Sequence, residues 1–517
     1  MKYRLGIDVG GTNTDAVILD LSDRPVGKAK TPTTEDVTGG ILKALDIVLD
    51  NSGVKPDDIT HAMLGTTHCT NAIVERERLS EIGIVRLAAP ATLAIRPLTA
   101  WPKDLKERLG RFSYVVGGGH EFDGREIAPL DEAAVRQIAQ ELKGRVSAVA
   151  VSGAFSPVNA EHERRAAEIL REELGDDIPL SLSHEIGSLG LLERENATVL
   201  NAAVVEVAKR AAGAFSSALR DKGIRARLYF TQNDGTLMGL EYAIRYPIRT
   251  VASGPANSIR GGAYLSGLSE AIVIDVGGTT ADLGVLTKGF PRESAVAVEI
   301  GGVRTNFRMP DLISLGLGGG SIVGRIDGRM AVGPQSVGFR LTERALVFGG
   351  DTLTMTDIAV ARGMIALGDA AAVRGTPAAD VQEAFSVAIA MVEQAIDRMK
   401  TSAEPMPVVA VGGGSILLPE SLAGASEVVR PENFEVANAI GAAIAQVSGE
   451  IDRVYSLEGR TREDVIEEAK ESARQEAVKA GAKADSIEIV EVDEIPLAYL
   501  PSNAIRLRCK AAGSLSG

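Results

Sequence analysis

Cysteine is nearly absent from this 517-residue chain. Cys69 and Cys509 are the whole complement, too few for a disulfide framework or a Cys-rich zinc site. Aromatics make up only 4%, with a single tryptophan, Trp101. Basic charge is in deficit: 55 Lys and Arg face 69 Asp and Glu, for a net charge of −14. That excludes the basic face with which proteins neutralise DNA or RNA phosphates. No apolar run reaches the roughly 18 residues a bilayer span requires. The opening Met1-Lys2-Tyr3-Arg4-Leu5 enters a strand-like run without a signal-peptide core. No nucleic-acid or membrane partner is expected, and the expected location is cytoplasmic. Catalytic motifs are missing as well. There is no H-E-x-x-H for a zinc protease and no G-x-S-x-G for a serine-hydrolase elbow. Neither G-x-x-x-x-G-K-[ST] nor a strand-borne G-x-G-x-x-G occurs, so P-loop and Rossmann readings lose their main support.

What the chain does have is one glycine-rich loop, twice. Asp8-Val9-Gly10-Gly11-Thr12-Asn13-Thr14-Asp15 stands near the start, and Asp275-Val276-Gly277-Gly278-Thr279-Thr280-Ala281-Asp282 past the middle. An apolar run precedes and follows each copy, the pattern of a β-hairpin with the glycines at its turn. Glycines there let backbone N–H groups approach phosphate oxygens that a Cβ would block. Threonine hydroxyls add donors, and the leading aspartate suits Mg²⁺, directly or through water. Two matched hairpins suggest duplicated halves closing on one nucleotide, ATP. Asp8 and Asp275 are the candidate catalytic and Mg²⁺-holding residues. Gly10, Gly11, Thr12, Asn13, Thr14 and Asp15 are candidate phosphate contacts in the first loop, and Gly277, Gly278, Thr279, Thr280 and Asp282 in the second.

At this length two to four domains are expected, and 45% hydrophobic content supplies ample core. Helical periodicity covers 37–49, a strand ends at Gly65-Thr66-Thr67, and a helix starts at Asn71. Residues 84–130, with several Pro and Gly, read as irregular. Helix, strand, helix and strand then alternate over 131–182, an α/β pattern. A long helix over 191–221 precedes a strand at 227–231. A helix over 376–401 leads to the strand Val408-Val409-Ala410-Val411, which runs into Gly412-Gly413-Gly414-Ser415, and Glu435–Ala443 reads as a small-residue helix suited to close packing. A charged helix (461–481) and two strand-like runs form a small terminal unit. The expected division is 1–190, 191–455 and 456–517.

Three glycine-rich elements in this order resemble the actin, sugar-kinase and heat-shock-chaperone superfamily, in which two α/β domains of ribonuclease H-like fold flank a nucleotide cleft. On that resemblance Gly412, Gly413, Gly414 and Ser415 form the adenosine-contacting turn. The resemblance narrows to the hydantoinase/oxoprolinase family, A-type subunits, over roughly residues 1–450. It rests on Arg4–Asp15, Gly65-Thr66-Thr67 with Thr70-Asn71-Ala72, Asn159–Leu170, Leu191–Ala202, Val251–Gly262, Asp275–Asp282, Leu317–Ile322 and Val332–Ser336. Long members of that family continue with Pro-Gly-Pro-Ala-Cys-Tyr-Gly; here the chain reads Val337-Gly338-Phe339-Arg340-Leu341-Thr342. The resemblance implies an ATP- and Mg²⁺-dependent hydrolase of a cyclic amide such as a hydantoin, 5-oxoproline or lactam. It also implies a B-type partner subunit and an oligomer. The alternatives are a small-molecule kinase on the same fold, an ATPase subunit of a related carboxylase, and an ATPase activator. The activator reading would need cluster-binding cysteines that Cys69 and Cys509 do not supply.

Of the five histidines, His68 follows the Gly65-Thr66-Thr67 turn and is a candidate to face the cleft. His120, with Glu121 and Asp123, is either a metal site or a polar loop, and the loop is favoured. Cys69 has no visible base partner and is expected to be a small buried residue.

Overall fold

A computed structural model describes residues 2–33, 37–294, 298–497 and 504–515. The first loop joins strands Tyr3–Val9 and Asn13–Leu19, whose apolar residues are almost all buried because helices cover both faces. With Pro25–Pro32 they form an antiparallel meander, and Ile59–Thr66 and then Arg227–Thr231 add in parallel beside Tyr3–Val9. The second loop repeats the plan. Ala271–Val276 and Ala281–Thr287 form the hairpin, Phe290–Pro291 and Leu312–Leu315 lie beyond it, and Met406–Val411 and Ala425–Val429 add in parallel. Two sheets built in the same strand order are the two halves that the paired loops suggest.

Two helices between the sheets, Ser253–Ser266 and Ala437–Ile444, cross at backbone contact distance. A Cβ at Gly261 would collide with Ala437 O, and one at Gly441 with Asn257 O. Small residues here let the helices approach so closely. The first sheet continues past Arg227–Thr231 through Leu237–Gly239, Val447–Tyr455, Ile505–Gly513 and Glu488–Pro496, to nine strands. The small C-terminal α/β unit, with helix Arg462–Ala480, therefore joins the edge of this sheet.

Between Thr66 and Arg227 the chain makes a separate parallel sheet from Phe112–Gly117, Ile82–Ala89, Ala148–Gly153 and Leu180–Leu182. This corrects the expectation that 84–130 is irregular. Ile82–Ala89 is an apolar strand interrupted by Arg86, a residue that argues against burial. Arg86 is nonetheless fully buried, because Nε and Nη2 donate to both oxygens of Glu195 at 2.7 and 2.5 Å. Glu195 sits on the 31-residue helix Leu191–Asp221, so the pair ties the inserted sheet to that helix.

Candidate functional site

Both hairpin turns close in the same way. Gly10 N donates to Asn13 O at 3.0 Å, and Gly277 N to Thr280 O at 2.8 Å. The registers match too: Asp8 lies opposite Asp15, and Asp275 opposite Asp282. The turns face each other, since a Cβ at Gly278 would lie 2.8 Å from Thr12 Cγ2. Leu317–Ile322 backs the second turn: Gly319 N and Gly320 N donate to Gly277 O and Gly278 O.

Each leading aspartate has a glycine beside it, Gly65 on the neighbouring parallel strand and Gly412 just past the end of one. A side chain at Gly65 would strike Asp8 Oδ1, and one at Gly412, where φ is +80°, would strike Asp275 Oδ1. These two positions explain why a glycine opens Gly65-Thr66-Thr67 and why another follows Val411. Each leaves room for a carboxylate at the floor of the cleft.

The cleft encloses about 400 Å³. It is lined by Asp8, Gly10–Asn13 and Asp15, by Asp275, Gly277–Thr280 and Asp282, and by Gly412–Gly414. Thr14 and Ser415 do not reach it. Thr14 is buried and its hydroxyl lies 3.3 Å from Thr33 Oγ1, while Ser415 is buried beneath the third turn. Phe339, Leu341 and Thr342 supply part of the wall, so the segment that departs from the long members' pattern borders the cleft.

Burial dominates the electrostatics. It pushes the Asp8 carboxyl up to about 7, with Asp15 and Asp275 adding repulsion and Asn257 and Asn438 opposing it. Burial likewise raises Asp282 to about 6, and raises Asp15 and Asp275. Among the described residues Lys30 is the only cation lining the cleft, against five acids, and its Nζ donates to both Asp15 oxygens at 2.8 Å.

Several supporting residues have no sequence signal of their own. Asn257 and Asn438 donate to Asp8 at 3.3 and 3.0 Å, and Ser258 Oγ donates to Asp275 at 2.5 Å. Asn257 and Ser258 fall inside Val251–Gly262, and Asn438 inside the small-residue helix, so the pattern marked their segments without their roles. The histidine and cysteine candidates lie elsewhere. His68 Nδ1 bonds Thr66 Oγ1, and burial lowers its pKa. His120 is buried against His162, ring centroids 4.3 Å apart, and Asp123 is paired with Arg125. Burial pushes the Cys69 thiol up to about 11, which leaves no thiolate for nucleophilic attack near neutrality.

Known proteins resemble this chain in sequence and in fold. The sequence profile of the hydantoinase/oxoprolinase N-terminal region matches residues 4–174, and that of hydantoinase/oxoprolinase matches 194–406. The caprolactamase subunit alpha of Pseudomonas jessenii is 29% identical over 71% of this chain and 55% of its own length. The acetophenone carboxylase gamma subunit of Aromatoleum aromaticum is 29% identical over 70% of this chain and 53% of its own. The chain thus spans about half the length of these relatives. The crystal structure of the ATP-dependent caprolactamase from Pseudomonas jessenii superposes with a TM-score of 0.80 at 23% identity, covering 99% of this chain and 88% of that one. A nucleotide-free acetone carboxylase structure gives 0.70 at 18% identity, covering 100% and 88%. Both show the same fold.

Proposed function

The chain belongs to the hydantoinase/oxoprolinase family, and from that premise we propose that its cleft binds ATP with Mg²⁺ and activates the oxygen of a cyclic amide for ring opening. The observation that carries this is the pair of matched turns facing one cleft, each with an aspartate at its base, Asp8 buried and Asp275 half-buried.

The charge balance fits a divalent cation. Five acids against one lysine would repel a triphosphate, and burial holds Asp8 and Asp282 partly protonated without a counter-charge. Among the described residues no cage of three or more Asp, Glu, His or Cys side chains stands ready for a metal. Mg²⁺ needs none, because it keeps several waters and is held by one or two carboxylates together with phosphates. Asp8 and Asp275 would hold it, and it would neutralise charge on the phosphates.

The backbone N–H groups of Gly10–Thr12 and Gly277–Thr279, with the hydroxyls of Thr12, Thr279 and Thr280, would orient the phosphates. The Gly412–Gly414 turn would take the adenosine end. An unstrained amide resists hydrolysis because resonance leaves its carbonyl a poor electrophile. Transfer of the γ-phosphoryl group from ATP to the amide oxygen would release ADP and leave an imidate-type phosphate. Water would add to its carbon, the ring C–N bond would break with the amine as leaving group, and a second water would free inorganic phosphate, so the residues' work is positioning and charge stabilisation. We further propose a B-type partner subunit, because both relatives above are named as subunits.

A second reading, a carboxylase subunit, is favoured by the equal identity to the acetophenone carboxylase subunit. The test is phosphate release from Mg²⁺-ATP by the purified chain, alone and with a panel of lactams, hydantoins, 5-oxoproline, and ketone plus bicarbonate. Low release alone, a rise with a cyclic amide and a ring-opened product support the hydrolase. Stimulation by ketone and bicarbonate supports the carboxylase. A phosphorylated small molecule as final product would transfer the assignment to a kinase.

A further inference from the structure

Two large apolar side chains on the wall of the cleft stand exposed, Phe339 at 53% and Leu367 at 38%. Apolar residues scattered singly over a surface need no explanation, but two on one concave wall point to a ligand that covers them. Leu341 and Ile365, each half-buried, line the same cleft. Both pack on the cluster of Ala345, Val347, Val360 and Val373, so one small core supports them. Ile365 also packs on the core that contains Leu417, the last residue of the short helix Gly413–Leu417. At the other end, a Cβ at Gly338 would lie 3.9 Å from Thr279 Cγ2. An apolar shelf therefore runs from the second phosphate turn to the third glycine turn.

Thr342 and Thr356 are the hydroxyls on this wall, and Thr356 Oγ1 already donates to Gly319 O at 2.9 Å. The Arg340 guanidinium stands 5.6 Å from the Phe339 ring centre, and the ring is still half exposed. The cleft thus has two chemistries. Carboxylates, threonine hydroxyls and glycine backbone surround Asp8 and Asp275, and a neutral wall bearing an aromatic ring continues from Gly412–Gly414. A nucleotide divides in the same way, into a charged phosphate tail and a flat, neutral base with two π faces. A cyclic amide has to place its oxygen at the γ-phosphate, between the paired turns.

On the ATP reading above, we infer that this shelf holds the purine base, stacked on the Phe339 ring with Leu341, Ile365 and Leu367 beside it, and that Phe339 sets nucleotide affinity through the base. Phe339 lies in Val337–Thr342, where the chain departs from the long family members, so the contact belongs to this chain's own sequence. Stacking on an aromatic ring needs no hydrogen-bonding edge, because every base has a π face. The shelf's shortage of polar groups suits that mode of binding.

Calorimetric titration of the full chain with Mg²⁺ and the non-hydrolysable analogue AMP-PNP tests it, with Mg²⁺-tripolyphosphate as the probe that lacks a base. Phe339→Ala should weaken AMP-PNP binding about tenfold or more, and Phe339→Tyr should restore it. Tripolyphosphate should bind wild type and Phe339→Ala alike. In ATP turnover the loss should appear in KM and not in kcat, as it does when a contact is equally strong in the ground and transition states. Phe339 is exposed, so its truncation leaves the core intact. The assignment is overturned if Phe339→Ala binds AMP-PNP like wild type, or if tripolyphosphate is weakened by the same factor. Unchanged AMP-PNP binding with a raised KM for a lactam would give the shelf to the amide ring instead. Wild type that binds neither probe would overturn the ATP reading itself, and the base site with it.

Discussion

Asn438 Nδ2 donates to Asp8 Oδ2 at 3.0 Å, across 430 positions of sequence. With Asn257 on the other oxygen at 3.3 Å, the carboxylate at the base of the first turn is held by both helices packed between the sheets. Each amide stabilises the ionised form against burial.

Asn438→Ala should therefore raise the Asp8 pKa further and lower ATP turnover about tenfold, as loss of a hydrogen bond to a charged group does. Asp8 acts as a ligand only when ionised, so kcat/KM for Mg²⁺-ATP should rise with pH through about 7. In Asn438→Ala that midpoint should move upward. An unchanged midpoint would remove Asp8 from the titration.

Asp8→Ala and Asp275→Ala should each reduce Mg²⁺-dependent ATP hydrolysis by about 10²-fold or more, in line with removal of a preorganised charge-stabilising group. Circular dichroism should show a folded protein, because both residues end strands at turns. Turnover at the wild-type rate would exclude the residue from the site.

Asp282→Asn tests the cost of the buried carboxyls. Its folded pKa, about 6, lies above the ordinary 3.8, so the native state keeps a proton that the unfolded chain releases. Stability is then lost as pH climbs from about 4 to about 6, and stays lost above that. The asparagine carries no charge to desolvate. Urea unfolding should find the variant more stable than wild type at about pH 8 and close to it at about pH 4.

Gly441→Ala and Gly261→Ala each place a methyl against a carbonyl oxygen of the facing helix. Overpacking of this kind costs about 1–3 kcal/mol, and here the obstacle is backbone that cannot rotate aside, so about 3 kcal/mol or more is expected by calorimetry. Gly441 abuts Asn257, so nucleotide affinity should fall along with stability.

Glu195→Ala would leave Arg86 buried and unpaired, at a cost of about 3–5 kcal/mol in urea unfolding. The double variant Arg86→Met, Glu195→Leu should recover most of it, because two apolar side chains carry no desolvation penalty.

Much of the cleft was legible because its turns are local chemistry: an Asp-x-Gly-Gly-Thr run between apolar strands fixes a hairpin within eight residues. The small-residue helix was legible for the same kind of reason, since Gly441 and its alanines state how near a neighbour must come. Asn257, Asn438, Ser258 and Lys30 were not, because each acts on a carboxylate that only the fold brings near. The strand Ile82–Ala89 was hidden by Arg86, whose partner Glu195 is 109 positions away.

The strand order also sets a timetable for synthesis. Every strand of the second sheet lies within residues 271–429, so that sheet is complete as soon as this stretch has left the ribosome. The first sheet begins at Tyr3 but receives its outer three strands only from residues 447–513. Until then Leu237–Gly239 stands as an open edge, able to pair with another chain. The earlier-made half must wait for the later one, and this nascent interval is when the polypeptide most needs shelter from aggregation.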